Sequence, residues 1–264
     1  MILRLKSRSL LYIGGEDAKS FLQGQLSNDI DAISDGGLQI NAYCQHQGKV
    51  IAILWVLIVN GEIYISLPIE LAGLVKNRLQ MFVMMSDVVI HDVTIDIPQY
   101  GIIDEEFEKS YKLNDRQSIY LGEIQKKEIC YENENPWEQV CIDTEIPEVY
   151  LDTTEKFVPQ ALNLDIDELG VSFSKGCYPG QEVVARLHYL GKAKRRMHKF
   201  NCEYISPGDD LLVSNSKSLR PSGKVVRSAK LNNEFYCLAS IEIEHKNDKI
   251  CDHNENTLIR IKNE

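Results

Sequence analysis

Ten consecutive apolar residues, Val50 to Val59, run directly into Asn60-Gly61. The run is too short to cross a bilayer, which takes about 20 residues of helix. It ends on the dipeptide that best supplies the two positive φ angles of a tight hairpin turn. The segment therefore reads as a strand buried on both faces. Glu62 to Leu67 reads as its partner, with Ile63, Ile65 and Leu67 on one face. Any fold for this chain has to cover both sides of that strand.

The flanking sequence extends the hairpin into a mixed unit. Ala18, Phe21, Leu22 and Leu26 have helical spacing over Asp17 to Leu26, and Gly36-Gly37 marks a turn before a strand from Leu38 to Cys44. Pro68 suits a helix first turn, followed by a stripe of Ile69, Leu71, Leu74, Val75, Leu79 and Phe82. Val88 to Ile97 reads as a further strand, with Val93, Ile95 and Ile97 alternating against Thr94 and Asp96. This β-β-α-β order predicts a sheet with helices on one side. Asp104 to Glu134 is polar and irregular, and its acids Asp104, Glu105, Glu106 and Glu108 read as a solvated face. From Lys194 onward, turn signals at Pro207-Gly208-Asp209-Asp210 and Asn232-Asn233 punctuate strands. A small terminal β-barrel is expected there, with Leu211, Leu212, Val213, Val225 and Val226 in its core.

At 264 residues the chain exceeds a typical single domain, so two or three small ones are expected. Its net charge of −10 argues against a general nucleic-acid binder, which leaves a basic footprint. One local exception is Arg186 to Lys199, which holds Arg186, Lys192, Lys194, Arg195, Arg196 and Lys199 and no acid. It reads either as a solvated strand face and linker or as a site for an anion such as a folate tail or an RNA backbone. The seven cysteines are odd in number and lack Cys-x-x-Cys spacing, so neither a disulfide framework nor a cysteine-rich metal motif is expected. Free thiols and the lack of an apolar leader suit the cytoplasm.

Chemistry concentrates in Lys175 to Glu182, Lys-Gly-Cys-Tyr-Pro-Gly-Gln-Glu. Gly176 and Gly180 permit a sharp turn around Cys177. An isolated cysteine is commonly inert filler, but a thiol exposed near positive charge favours the reactive thiolate. Lys175 could stabilise that form, as could the positive end of a helix beginning near Gly180. Glu182 would oppose it. Glu182 and Arg186 would pair at i and i+4 if the segment is helical; an extended conformation is the alternative. His188 completes no cysteine-protease pattern.

Phe157 to Asp165 (Phe-Val-Pro-Gln-Ala-Leu-Asn-Leu-Asp) leads into Val171 to Arg186, which contains the octapeptide. Together they closely resemble the signature of the YgfZ family, folate-binding proteins related to the aminomethyltransferase (T-protein) of the glycine cleavage system. Gly15 to Ile30 resembles that family's opening helix, and Gln47-Gly48-Lys49 its entry into a strand. The resemblance implies an α+β, T-protein-like fold with mixed subdomains around a central cavity and a terminal barrel. It also implies subdomains of residues 1–45 with 140–193, of 46–139, and of 194–264.

The resemblance further implies a tetrahydrofolate-type cofactor and an accessory role in iron–sulfur enzyme assembly or repair, with consequences for tRNA modification. Cys177 is then the functional thiol and Lys175 its neighbour in the motif. The pterin carboxylate of the family, on a strand before the cysteine block, falls on Asp143, where Thr144-Glu145 replaces a small Ala-Gly pair; Glu145 is the alternative partner. Gln45 stands roughly where folate-binding relatives carry an acid, and a glutamine cannot act as a general base. Further folate contacts are expected from Gly176, Tyr178, Gly180, Gln181, Glu182 and Arg186. Two other readings are an aminomethyltransferase moving a one-carbon unit to tetrahydrofolate, and a tRNA-binding module using Arg186 to Lys199. Iron–sulfur clients and folate are the expected partners, and no membrane.

Overall fold

The computed structural model describes residues 1–124, 130–214, 220–231 and 233–261. The apolar run is strand β4 (Val50–Val59), buried except at Val59. Asn60 and Gly61 have φ of 52° and 83°, as the tight turn requires. β4 lies between β3 (Leu38–Cys44) and β5 (Glu62–Pro68), both antiparallel to it. β2 (Arg8–Gly14) and β6 (Val89–Asp92) complete a sheet of order β3-β4-β5-β2-β6.

Helix α1 (Ala18–Gln23) follows β2, and α2 (Ile69–Gln80) follows β5. Leu71, Ala72, Val75 and Leu79 are the buried face of α2. Ile69, Leu74 and Phe82, expected in that stripe, are 52%, 41% and 50% exposed. Ile69 and Leu74 lie off the i, i+4, i+8 row set by Leu71, Val75 and Leu79, and Phe82 lies past the helix end. The strand expected from Val88 to Ile97 stops at Asp92. Asp92 Oδ1 accepts from the Thr94 backbone and hydroxyl, and the Asp96 and Ile97 N–H groups return to the Val93 carbonyl. The local side-chain hydrogen bond thus outcompetes the ladder, and Ile95 is left 95% exposed.

A second sheet has order β10-β1-β7-β9-β8, from β1 (Ile2–Arg4), β7 (Gln99–Ile103), β8 (Tyr111–Lys112), β9 (Gln117–Leu121) and β10 (Cys130–Tyr131). Helix α3 (Asn135–Asp143) joins the sheets. Its Trp137 lies against Gly101, where a Cβ would fall 2.5 Å from the indole, and meets Trp55 of β4 with ring centroids 6.2 Å apart. After α4 (Gln181–Tyr189) comes the expected barrel, built from β11 (Arg195–Cys202), β12 (Asp210–Val213), β13 (Gly223–Leu231), β14 (Glu234–Glu242), β15 (Ile250–Cys251) and β16 (Thr257–Arg260). It closes in the order β11-β14-β13-β12-β15-β16. Leu211, Val225 and Val226 are fully buried, Leu212 and Val213 only partly. Of the expected turn at Asn232-Asn233, Asn232 lies outside the described residues. A boundary at 45/46 falls in the β3–β4 turn, within one hydrogen-bonded hairpin, whereas one at 193/194 falls just before the barrel.

The barrel meets the body through buried charge. Glu148 accepts from Arg8 Nη1 at 2.6 Å and lies 3.5 Å from Arg227 Nη2, while Arg227 Nη1 reaches Glu138 of α3 at 2.9 Å. Arg8 also stacks its guanidinium 3.4 Å from the Trp55 ring centroid. One carboxylate thereby links β2 to β13 of the barrel.

Candidate functional site

The octapeptide is held at both ends. Lys175 turns inward and is 9% exposed. Its Nζ donates to the carbonyls of Gln23, Leu26 and Asn28 at 2.5, 2.6 and 3.1 Å. An ammonium has three protons, and here each meets a carbonyl at or just beyond the end of α1, where the helix dipole favours a cation. Burial pulls the Lys175 pKa down to about 8, with Asp29 and Asp31 acting the other way. The side chain expected to tune the thiol is therefore committed to the backbone.

At the other end, Gly180 has a φ of +84° and N-caps α4. A Cβ there would lie 2.5 Å from the Gln45 carbonyl oxygen and 2.7 Å from Gly48 Cα. Gly48, with φ +75°, in turn packs against Val183. The turn after β3 and the start of α4 thus interlock backbone to backbone, which explains glycine at both places. Between the anchors, Gly176 and Cys177 are exposed, while Tyr178 is buried. Burial raises the Tyr178 pKa, with nearby Cys44 adding to the effect.

Gln181 to Tyr189 is helical, which settles the open conformation. Glu182 and Arg186 are both exposed, and the expected ion pair between them is not among those formed by the described residues. Gln181 Nε2 reaches the Gly176 carbonyl at 3.5 Å. His188 is accounted for by packing, stacked on Phe173 with centroids 3.7 Å apart. Gln45 is brought to the motif but is occupied by its own turn: its side-chain oxygen accepts from the Gln47 N–H and its backbone bonds Lys49 and Gly48.

Asp143 is not on a strand. It ends α3, because Pro136 at the helix start and the Trp137, Val140 and Cys141 face make that stretch helical. Its carboxylate accepts from Gln139 at 3.0 Å and lies 3.5 Å from Arg116. None of these partners belongs to the octapeptide. Glu145 has a φ of 55° just past the helix.

The basic segment is neutralised only in part, through Arg195 and Arg196. Arg195 pairs with Glu242 at 3.0 Å, Arg196 makes a two-pronged contact with Asp165, and Lys199 reaches the Asp143 carbonyl. Burial, then Arg260 and other cations, pull the His198 pKa down to about 4, so it adds no charge near neutrality. Arg186, Lys192 and Lys194 stay exposed. Lys49 has its pKa lowered by burial and by Arg195.

A cleft of about 490 Å³ opens beside the motif, lined among others by Asn28, Asp29, Gln39, Glu168, Ser172 and Ser174. Leu38, Leu113 and Leu169 give it apolar wall. Asn28 belongs both to the cleft and to the carbonyl cage of Lys175. Of these, Asn28, Asp29, Ser172 and Ser174 fall inside the blocks that carry the family resemblance, but sequence reasoning gave them no role. Only the fold brings the turn after α1 against the segment before the cysteine, for example through Ser172 N–H to the Ser27 carbonyl at 3.0 Å.

The fold is that of the glycine-cleavage aminomethyltransferases. A crystal structure of glycine cleavage system aminomethyltransferase T from Bartonella henselae superposes with a TM-score of 0.71 at 8% identity, covering 99% of this chain and 84% of that one. By sequence the chain belongs to the YgfZ family. It is 26% identical over 250 residues to the tRNA-modifying protein YgfZ of Colwellia psychrerythraea, covering 80% of this chain and 75% of that protein. Against the namesake of Photorhabdus laumondii it is 27% identical over 275 residues, covering 88% and 81%. An uncharacterized protein of Haemophilus influenzae is 30% identical over 244 residues, covering 87% and 85%. No family model matches the chain. Among the described residues, no helix is long and apolar enough to cross a membrane.

Proposed function

We propose that this protein is a folate-binding accessory factor that supports iron–sulfur enzymes and, through them, tRNA modification, with Cys177 as its functional thiol. The observation that carries the reading is the presentation of Cys177: an exposed thiol on a short loop fixed by a buried lysine on one side and a glycine–glycine contact on the other. A structural cysteine has no need of two anchors and an open face. The relatives named as tRNA-modifying proteins support the cellular direction, and the aminomethyltransferase fold supports the folate. Folate, when bound, supplies a reduced pterin able to carry a one-carbon unit. The residues at hand suit it: the cleft offers carboxylate and amide acceptors for the amino-pyrimidine edge and apolar wall for the ring.

Isothermal titration of reduced, anaerobic protein with tetrahydrofolate tests the ligand. Saturable binding is expected, and its absence overturns the folate reading. Catalysed aminomethyl transfer is the second reading, favoured by the likeness to aminomethyltransferase T. Gln45, locked in its turn, supplies no general base for it. Turnover with a lipoyl carrier protein would establish that reading instead.

A further inference from the structure

We propose that the exposed methionine ridge after α2, with the groove beside it, docks a cationic amphipathic helix of a partner protein. The surface lies outside the octapeptide and needs no folate.

Met81, Phe82, Val83, Met84 and Met85 are five consecutive apolar residues. Val83 packs against the core, but Met84 is 88% and Met85 99% exposed, and Met81 and Phe82 are at least half exposed. The backbone holds the run outward. The Phe82, Val83 and Ser86 N–H groups return to the Leu79, Gln80 and Val83 carbonyls at 3.0, 3.3 and 2.9 Å. Past it, the Asp87 N–H donates to Asp17 Oδ2 at 2.8 Å and the Asp17 N–H to the Asp87 carbonyl at 3.2 Å. Gly15 admits that clamp, since a Cβ there would lie 2.0 Å from the Asp87 carbonyl oxygen. The ridge is therefore fixed at both ends, which lowers the ordering cost of binding. Beside it lies a cavity of about 500 Å³ whose apolar lining comes from Ile51, Leu74 and Met81. Leu74 and Met81 are seven positions apart, about two turns or 10 Å along one side of α2. That span matches the apolar stripe of a facing helix. Unbranched, polarizable methionine side chains adapt to such a stripe.

Charge selects the occupant. From Leu79 to Glu108 the chain has seven acids and no lysine or arginine. Glu16, Asp17 and Asp87 are exposed together at the end of the ridge, and none of the three forms an ion pair among the described residues. Lys19, two positions from Asp17, is turned to Asp31 at 3.7 Å. The groove carries one charge of each sign, Arg78 and Glu155, so the acids of the ridge set the sign of the surface. A helix with an apolar stripe and a rim of Lys or Arg covers the methionines and meets the carboxylates. Nucleic acid and an anionic bilayer are repelled by the same carboxylates. Helix α1 fixes where the partner sits: Asp17, in the clamp, precedes it, and its last residue, Gln23, gives a carbonyl to Lys175. Six helical residues, about 9 Å, thus separate the ridge from the anchor of the Cys177 loop.

The test titrates the full-length protein into fluorescein-labelled amphipathic helical peptides, one built of Leu and Lys and one of Leu and Glu, and reads anisotropy. Salt is kept at about 0.15 M, where charges more than about 8 Å apart are screened. Saturable binding of the Leu/Lys peptide is expected, with the Leu/Glu peptide at least about tenfold weaker. Met84→Ser/Met85→Ser should weaken the Leu/Lys peptide by about tenfold or more, since both side chains are anchors of the contact. Both are exposed, so circular dichroism and Tm should stay at wild-type values. Glu16→Lys should weaken the same peptide about threefold, the effect of a rim charge. Equal affinity for the two peptides, wild-type affinity in the double methionine variant, or no binding of the Leu/Lys peptide by wild type overturns the site. Self-association in sedimentation velocity that the double variant loses would make a second copy the occupant. Pelleting with phosphatidylglycerol vesicles that the double variant loses would make it a bilayer. Either result overturns the partner helix.

Discussion

At the scale of single residues, the octapeptide separates two roles that its sequence places side by side. Cys177 is exposed and makes no packing contribution, so Cys177→Ser is expected to shift stability by less than about 0.5 kcal/mol. It should nevertheless abolish any folate-dependent tRNA-modification phenotype in a complemented deletion strain. Retained complementation would remove the thiol from the function. Lys175 is the opposite case, a residue of the fold first. Its folded pKa of about 8 lies below the ordinary 10.5. Below pH 8 both folded and unfolded chains hold the proton. Between about pH 8 and 10.5 the unfolded chain holds it and the fold releases it, so this group makes stability rise with pH through that window. A depression of that size is worth about 3 kcal/mol. Urea unfolding at pH 7.5 and pH 10 should therefore show wild type gaining on Lys175→Met by roughly this amount. A difference that does not change with pH would place the ammonium outside its carbonyl cage.

At the scale of elements, the two motif glycines have unequal duties. Gly180 carries positive φ, and an added Cβ would strike the Gln45 carbonyl, a backbone atom with little freedom to yield. Gly180→Ala is expected to cost about 1–3 kcal/mol and to lower the melting temperature accordingly. Gly176 has nothing within 4 Å of its Cβ position, so Gly176→Ala should stay within about 0.5 kcal/mol. Equal costs at the two sites would contradict the interlock with the β3–β4 turn. The same elements show what sequence can and cannot tell. The hairpin around Asn60-Gly61 was legible because its signal is local: an apolar run and two residues that tolerate positive φ. The barrel was legible from turn spacing. The strand expected through Ile97 was misread because the Asp92–Thr94 contact competes with the ladder, and alternation alone does not register it. Asp143 was placed by motif position, while its helix is decided by packing of Trp137 on Gly101. The Lys175 cage joins residues about 150 positions apart, and no periodicity carries that information.

At the scale of the whole molecule, the barrel and the body are held in register by a carboxylate that hydrophobic pattern would never nominate. Glu148 is 1% exposed and faces two guanidiniums, Arg8 of β2 and Arg227 of β13. Such a cluster gives little net stability over apolar packing, but removing one member strands the rest. Glu148→Gln keeps the shape and removes the charge, leaving Arg8 and Arg227 without the carboxylate they share. The expected loss is about 3–5 kcal/mol. The position of the cluster adds a second expectation. Both tryptophans of the chain, Trp55 and Trp137, lie at this junction, so their fluorescence reports the joint while far-UV circular dichroism reports strands throughout. In wild type the two urea transitions should coincide. In Glu148→Gln the fluorescence transition should come first, as the barrel parts from the body before its own ladder melts. Coincident transitions with a loss below about 1 kcal/mol would mean that apolar contacts between α3 and β13 hold the joint without the ions.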